Sequence, residues 1–315
     1  MKTKHQRPLV VTIGGNAIIK KGDEGSTEDE LENLRLIFGE LASYITDTPL
    51  VITHGNGPMV GEILLRSELA KEKVPPLPLY VCGAHSQAEV GLLVQQTMRN
   101  ELSKIGVKRE IATVVTQVVV SGDDQSFSTP EKPIGFFYSE AEAERLETEL
   151  GWQMREDSHR GYRRVVPSPK PRRVVEMETI KRLVEEGVIT ICGGGGGVPV
   201  VEEDGALKGV DAVVDKDHTT TLIANSIGAE RIINITQVDA AYLDFGGSNQ
   251  RRIDIMTVEK AEEYLKKGEF QQGSMAPKIE SAIEFIDAGG REVLITSPAS
   301  LGAALSGISG TRIIP

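Results

Sequence analysis

Residues 191–201 read ICGGGGGVPVV. A nearly continuous apolar run stops, five glycines follow, and apolar residues resume. Glycine lacks a Cβ, so it reaches backbone conformations that other residues avoid, and it loses the most freedom on ordering. Five in a row therefore mark either a loose tether or a surface that something must approach closely. The run before them, VITIC at 188–192, is short, β-branched and apolar throughout, which predicts a strand buried on both faces. Five more runs share that character: PLVVTI at 8–13, PLVIT at 49–53, IATVVTQVVV at 111–120, RIINIT at 231–236 and EVLIT at 292–296.

Helical patterns lie between these strands. Thr27 with Glu30 reads as a capping box ahead of Leu31, Leu34, Phe38, Leu41 and Ile45, and Val90, Leu93, Val94, Met98, Leu102 and Ile105 mark a second apolar face. Further helices are predicted at 176–186, 257–267 and 277–288. Strands alternating with helices imply crossover units, hence an α/β fold whose mostly parallel sheet is covered on both sides. Ligands of such sheets bind beyond the carboxyl ends of the strands. From about residue 121 to 171 the rhythm breaks: the chain turns polar and rich in Pro, Gly and aromatics, with one capped helix starting near Ser139. FFY at 136–138 and YRRVV at 162–166 are pieces that pack, so this segment is expected to be an inserted subdomain projecting from the sheet.

With 315 residues, 39% of them hydrophobic, the chain can bury a substantial core in one large α/β domain or two smaller ones. A net charge of -11 argues against nucleic acid or an anionic membrane as the main partner and leaves small ligands. Cys82 and Cys192 are far apart and each flanked by apolar residues, which fits a reducing cytoplasm better than a disulfide scaffold. The basic start, MKTKHQRPLVVTIGG, carries too short an apolar run for a signal peptide, and no later run reaches membrane-spanning length.

The five glycines thus sit at the carboxyl end of a buried strand. Two more strands end alike, in IGGN (13–16) and THGNGP (53–58). Three strand ends present bare backbone N–H groups, which bind an anion and let it come close. Phosphate is the natural guest. Any one such loop reads equally well as a turn; three together point to an anion site. Neither a GxxxxGK[ST] loop nor a GxGxxG fingerprint occurs, so the familiar nucleoside triphosphate and dinucleotide cradles are not supported. Asp215, Lys216 and Asp217 follow an apolar stretch and precede a predicted helix, an arrangement in which a carboxylate holds an ammonium or binds Mg²⁺. In GSMAPK (273–278), Ser274 and Pro277 open a helix whose first turn holds Lys278. A cation there is unfavourable unless an anion joins it.

IGGNA, HGNGP, TQVVV, EKPIG, YRRVVPSPKP, CGGGGGVPVV, KGVDAVVDKD and GSMAPK fall in that order between Ile13 and Lys278. Together they resemble the carbamate kinases of the amino acid kinase superfamily, over nearly the whole chain. The resemblance implies a three-layer αβα sandwich with a protruding subdomain at about 121–171, an acceptor lobe at about 1–205 and a nucleotide lobe at about 206–315. It also implies a homodimer that transfers phosphoryl reversibly between MgATP and carbamate, run toward ATP in a catabolic route of arginine metabolism. By motif, Gly14, Gly15 and Asn16 would hold the transferring phosphoryl; Gly55, Asn56, Gly194, Gly195 and Gly196 would hold carbamate; and Lys216, Asp217, Met275 and Lys278 would hold the nucleotide. Lys132, Lys216 and Lys278 would neutralise charge, with Asp215 orienting the latter two lysines. Thr12 and Ile13 stand where related kinases carry a lysine, and Lys132 on the subdomain would replace that charge. The metal ligands stay unassigned.

Met59, His85, Ala88 and Thr219–Thr221 depart from the family pattern and leave open a kinase for another small carboxylate or carbamate-like acceptor. A nucleotide-binding sensor or storage subunit is the other class to weigh. Met59 reads as core filler, His54 as a brace for its loop, Trp152 as packing, and His85 and His218 as satisfied or exposed. Arg160, Arg163, Arg164, Arg172 and Arg173 with Tyr162 form a basic cluster that either faces solvent or touches nucleotide.

Overall fold

Strand β1 (Leu9–Ile13) sends Leu9, Val11 and Ile13 to one side and Val10 to the other, and this alternation sets the layers. The computed structural model describes residues 6–20, 22–157, 161–271 and 273–315. After β1 come α1 (Gly15–Ile18), α2 (Thr27–Ala42), β2 (Leu50–His54), α3 (Gly57–Leu69), α4 (Leu79–Lys104), β3 (Ile111–Thr113) and β4 (Gln117–Val120). Next are β5 (Lys132–Tyr138), α5 (Glu140–Leu150), β6 (Met154–Glu156), β7 (Tyr162–Val166), β8 (Pro171–Val174), α6 (Met177–Glu185) and β9 (Ile189–Ile191). The remainder is β10 (Val198–Glu203), β11 (Ala206–Gly209), α7 (Lys216–Ser226), β12 (Arg231–Ile235), β13 (Ala241–Leu243), β14 (Arg251–Ile253), β15 (Ile255–Thr257), α8 (Val258–Lys266), α9 (Met275–Asp287), β16 (Glu292–Thr296), α10 (Leu301–Leu305) and β17 (Thr311–Ile314).

The main sheet runs β15-β17-β16-β12-β1-β2-β9-β3. Its strands are parallel except that β17 pairs antiparallel with β16 and carries β15 with it. One face buries Leu9, Val11, Ile13, Ile52, Ile191 and Ile233 against Leu34, Phe38 and Leu41 of α2 and Val90, Val94 and Met98 of α4. The other buries Val10, Val51, Ile232, Val293 and Ile295 against α6, α7, α8 and α9 through Ile180, Ile223, Ala261, Ile279 and Phe285. The fold is a three-layer αβα sandwich. A second sheet, β11-β10-β4-β8, and a three-stranded sheet, β5-β7-β6, complete the larger elements.

Three local expectations are corrected. The capping box is Ser26 with Asp29, one residue earlier than expected; Thr27 is already helical, and Glu30 turns into the interior. The 111–120 run is two strands in two sheets, broken at Thr116. There Gln87 of α4 clamps the backbone from both sides, accepting from Thr116 N at 2.8 Å and donating to its carbonyl at 3.0 Å. Ser274 stands at the N-cap of α9 with φ -132° and makes no capping bond. The helix predicted after Ser139 is α5, opened by a Ser139–Glu142 capping box.

β1 is a switch point: β2 lies on one side of it and β12 on the other. In register, Ile13, His54 and Ile235 are level, so the loops following these strands open at one edge, where α/β sheets bind ligands.

Candidate functional site

Gly55 N donates to Ile13 O at 2.7 Å, and Gly14 N to Ile235 O at 2.8 Å, knitting the strand ends together. Gly193 N donates to Thr116 Oγ1 at 2.9 Å, and Gly196 N to Gly193 O at 3.1 Å. These amides are consumed by the fold. Among the described residues, the N–H groups of Gly15, Asn16, Asn56, Gly57, Gly194 and Gly195 take no protein acceptor. Five of these free donors, on Gly15, Asn16, Asn56, Gly194 and Gly195, belong to residues that the sequence singled out, whereas the amides of Gly14, Gly55 and Gly196, also singled out, are spent within the fold. Asn56 is the N-cap of α3 and makes no side-chain capping bond; its side-chain amide donates to Ser86 Oγ at 2.6 Å.

The five-glycine run is buried on all sides. A Cβ on Gly193 would meet Ile223, on Gly194 His54, on Gly195 the Asn56 amide, on Gly196 the Val214 carbonyl and on Gly197 Val118. Gly195 also holds φ +61°, a left-handed conformation that side chains disfavour. The run is a close-packed surface, not a tether. His54 braces it: buried, it donates from Nδ1 to Gly55 O at 3.1 Å, and burial, reinforced by the Lys216 charge, pushes its pKa down to about 4.

The charged groups meet beside these loops. Asp215 caps α7 by accepting from Asp217 N at 2.9 Å, and its other oxygen takes Lys132 Nζ at 2.5 Å. Lys216 Nζ lies 2.6 Å from Asp217 Oδ1 and 3.1 Å from Thr12 Oγ1. Lys278 Nζ lies 2.8 Å from Asp217 Oδ2. The carboxylate that orients Lys216 and Lys278 is thus Asp217, whereas Asp215 pairs with Lys132; helix geometry turns residue 217 inward and leaves 215 at the cap. Asn234 Nδ2 adds a third bond to Asp217 at 3.1 Å.

Burial opposes ionisation of Asp217, yet Lys216 and Lys278 together hold its pKa well below the carboxylate range. Asp215 behaves alike: burial raises its pKa, and Lys132 more than reverses that. Lys278 stays above the ordinary lysine value, its burial outweighed by Asp217. Lys216 does not, and burial brings it down to about 8 despite Asp217, with Lys278 adding repulsion.

Asn234 escaped the sequence reading, and Thr12, noted there only where related kinases carry a lysine, was given no part in holding Lys216. Both sit at the ends of apolar strands, level with each other, and a lone polar residue in such a run was the available signal. Thr219–Thr221, read as departures, are buried ties. Thr219 Oγ1 donates to Gly196 O at 2.8 Å, Thr220 shares a hydrogen bond with Thr53 at 2.7 Å, and Thr221 Oγ1 donates to Ser281 O at 3.0 Å. Met59 is in the core and His85 is exposed on α4. Met275 is half-buried at the start of α9.

The basic cluster disperses. Arg163 bonds Gly135 O and Asp157, Arg164 stacks on the buried Trp152 at 4.6 Å, Arg173 pairs with Glu202, and Arg160 lies outside the described residues. Three ammonium groups, two carboxylates and six backbone donors at one sheet edge can hold a polyanion and stabilise charge moving between its oxygens.

The model of the amino acid kinase family matches residues 7–297. A carbamate kinase of Pyrococcus horikoshii is 43% identical over 310 residues, spanning 98% of this chain and 99% of its own. The solved structure of carbamate kinase from Giardia lamblia bound to citric acid superposes with a TM-score of 0.92 at 38% identity, covering 98% of both chains. The same enzyme bound to AMP-PNP superposes with a TM-score of 0.89 at 37% identity, again over 98% of both.

Proposed function

The chain belongs to the amino acid kinase family, and on that premise we propose how its site performs carbamate kinase chemistry, ATP + carbamate = ADP + carbamoyl phosphate. The carbamate oxygen attacks the γ-phosphorus in line while the bond from that phosphorus to the β,γ-bridging oxygen breaks, and ADP leaves. In reverse, a β-phosphate oxygen of ADP attacks the phosphorus of carbamoyl phosphate and releases carbamate. No proton moves, so the chemistry needs position and charge neutralisation instead of a base. His54, neutral and engaged with its own loop, is not asked to be one.

The observation that carries this reading is the meeting of Lys132, Lys216 and Lys278, from three distant stretches, around Asp215 and Asp217. We assign the transferring phosphoryl to Gly14, Gly15 and Asn16, through the amides of the last two, and the carbamate to Gly55, Asn56 and the Gly194–Gly196 loop. Lys216, Asp217, Met275 and Lys278 serve the nucleotide, whose lobe is about 206–315; the acceptor lobe is about 1–205, with the Lys132-bearing subdomain at about 121–171. The uncapped start of α9 leaves amides for nucleotide phosphate. Mg²⁺ arrives with the nucleotide and is held chiefly by its phosphates, since Asp215 and Asp217 have both oxygens engaged within the protein. A cytoplasmic homodimer running toward ATP completes the proposal. The departures at Met59, His85 and Thr219 lie in the core, on the surface and in a structural tie, so they do not favour another acceptor.

Purified protein mixed with ADP, Mg²⁺ and carbamoyl phosphate is expected to form ATP rapidly. Slow formation with faster use of another acyl phosphate would move the acceptor assignment, and tight nucleotide binding without turnover would refute the kinase.

A further inference from the structure

Strand β5 meets helix α3 backbone to backbone. A Cβ on Gly61 would fall on Gly135 Cα and lie 2.8 Å from Gly135 N, so the two chains touch where neither has a side chain. Gly135 holds φ +73°, and the pairing of β5 with β7 shifts register between Ile134 and Tyr138. Beside the contact, Ile134 is buried with Val60 and Leu64 of α3. Lys132, two residues back, shares the face of Ile134 by the period of the pleat, and its ammonium reaches Asp215. Four residues before Gly61, α3 begins at Gly57, directly after Asn56. Four residues of helix span about 6 Å. One short rigid segment therefore joins the free amides of Asn56 and Gly57 to the strand that carries Lys132.

We propose that the contact between Gly61 and Gly135 is a positioning seat: it fixes how deeply β5 docks on α3 and so where the Lys132 ammonium stands relative to the acceptor loop. The role rests on the reading of Lys132 as a cation for the transferring group. A methyl at Gly61 meets backbone, which cannot rotate away, so β5 must move outward and take Lys132 with it. Binding of nucleotide, assigned to α7 and α9, does not pass through this seat.

The test is a double-mutant cycle on ATP formation from ADP and carbamoyl phosphate, with thermal melts to verify folding. Lys132→Ala is expected to lose about a hundredfold in kcat. Gly61→Ala is expected to lose roughly ten- to a hundredfold in kcat, with KM for ADP within about twofold of wild type. In the Lys132→Ala background, Gly61→Ala should cost less than about twofold, because the two changes act through one group. Losses that multiply would overturn the seat alone and make the glycine contact ordinary packing. Wild-type turnover in Lys132→Ala would overturn the reading of Lys132, and the seat with it. Should Gly61→Ala not fold, Gly135→Ala enters the same cycle; its Cβ has room, with Gly61 Cα 3.5 Å away, but must hold the left-handed conformation, and the same dependence on Lys132 is expected.

Discussion

Both oxygens of Asp217 are taken, one by Lys216 and Asn234 and the other by Lys278. A single buried carboxylate thus sets the spacing of two ammonium groups, and burial, with repulsion from Lys278 added, lowers the pKa of Lys216 despite that carboxylate. In the role proposed for Lys216, a pKa of about 8 predicts an alkaline limit to the reaction. Activity expressed as kcat/KM for ADP reports the free enzyme and is expected to fall above about pH 8 as that ammonium loses its proton. The limb should move upward in kcat, since bound phosphates favour the charged form. Lys216→Ala is expected to lower turnover at least about a hundredfold while circular dichroism stays native, and its remaining activity should lack the limb. A wild-type profile flat to about pH 10, near the ordinary lysine range, would remove Lys216 from this role.

At the level of elements, α2, α3 and α4 enclose carboxylates that the mechanism does not use. Glu30 of α2 is 4% exposed, and burial, aided by Glu89 and Glu62, raises its pKa from 4.5 to about 7. Between those values the folded state binds more protons than the unfolded one, so stability falls as pH rises through the window. Glu30→Gln removes that slope. Relative to wild type it should gain up to about 3 kcal/mol between pH values near 4.5 and 7, read from denaturant midpoints; an equal offset at both ends would contradict the burial account. The glycine run makes a separate prediction. Gly195→Ala places a methyl against the Asn56 amide at a left-handed residue, and should reduce kcat/KM for carbamoyl phosphate about a hundredfold by displacing the loop proposed to hold the acceptor. Calorimetry should find nucleotide affinity unchanged, because the residues proposed to hold the nucleotide are on α7 and α9.

Across the whole molecule the two thiols report the integrity of different layers. Cys192 lies in the core between the main sheet and α6 to α9, and Cys82 in the cluster under α3, α4 and the β5-β7-β6 sheet. Burial pushes their pKa values to about 12 and about 11, so neither is a ready nucleophile. A chromogenic disulfide reagent should titrate no thiol in the native protein and two in denaturant. If one thiol reacts ahead of global unfolding, Cys82 is expected to be that one, since it is held in the smaller of the two clusters; prior reaction of Cys192 would contradict the layering.

The sequence by itself determined the kinds of element and their chemistry. Apolar β-branched runs such as 9–13 and 292–296 point to buried strands, and glycines at the ends of three of these strands together point to close approach, because both signals act within a few residues. It also placed a capped helix after Ser139 and lysines at 132, 216 and 278. Tertiary structure alone decided partnership. Asp217 replaces Asp215 as the holder of Lys216 and Lys278, Asn234 joins it from a strand that reads as plain core, and the 111–120 run splits because Gln87 grips Thr116. Lys132 meets Asp215 across 83 positions of chain. Contacts of that span depend on strand order and on which face a residue turns to, and neither is written in any local window.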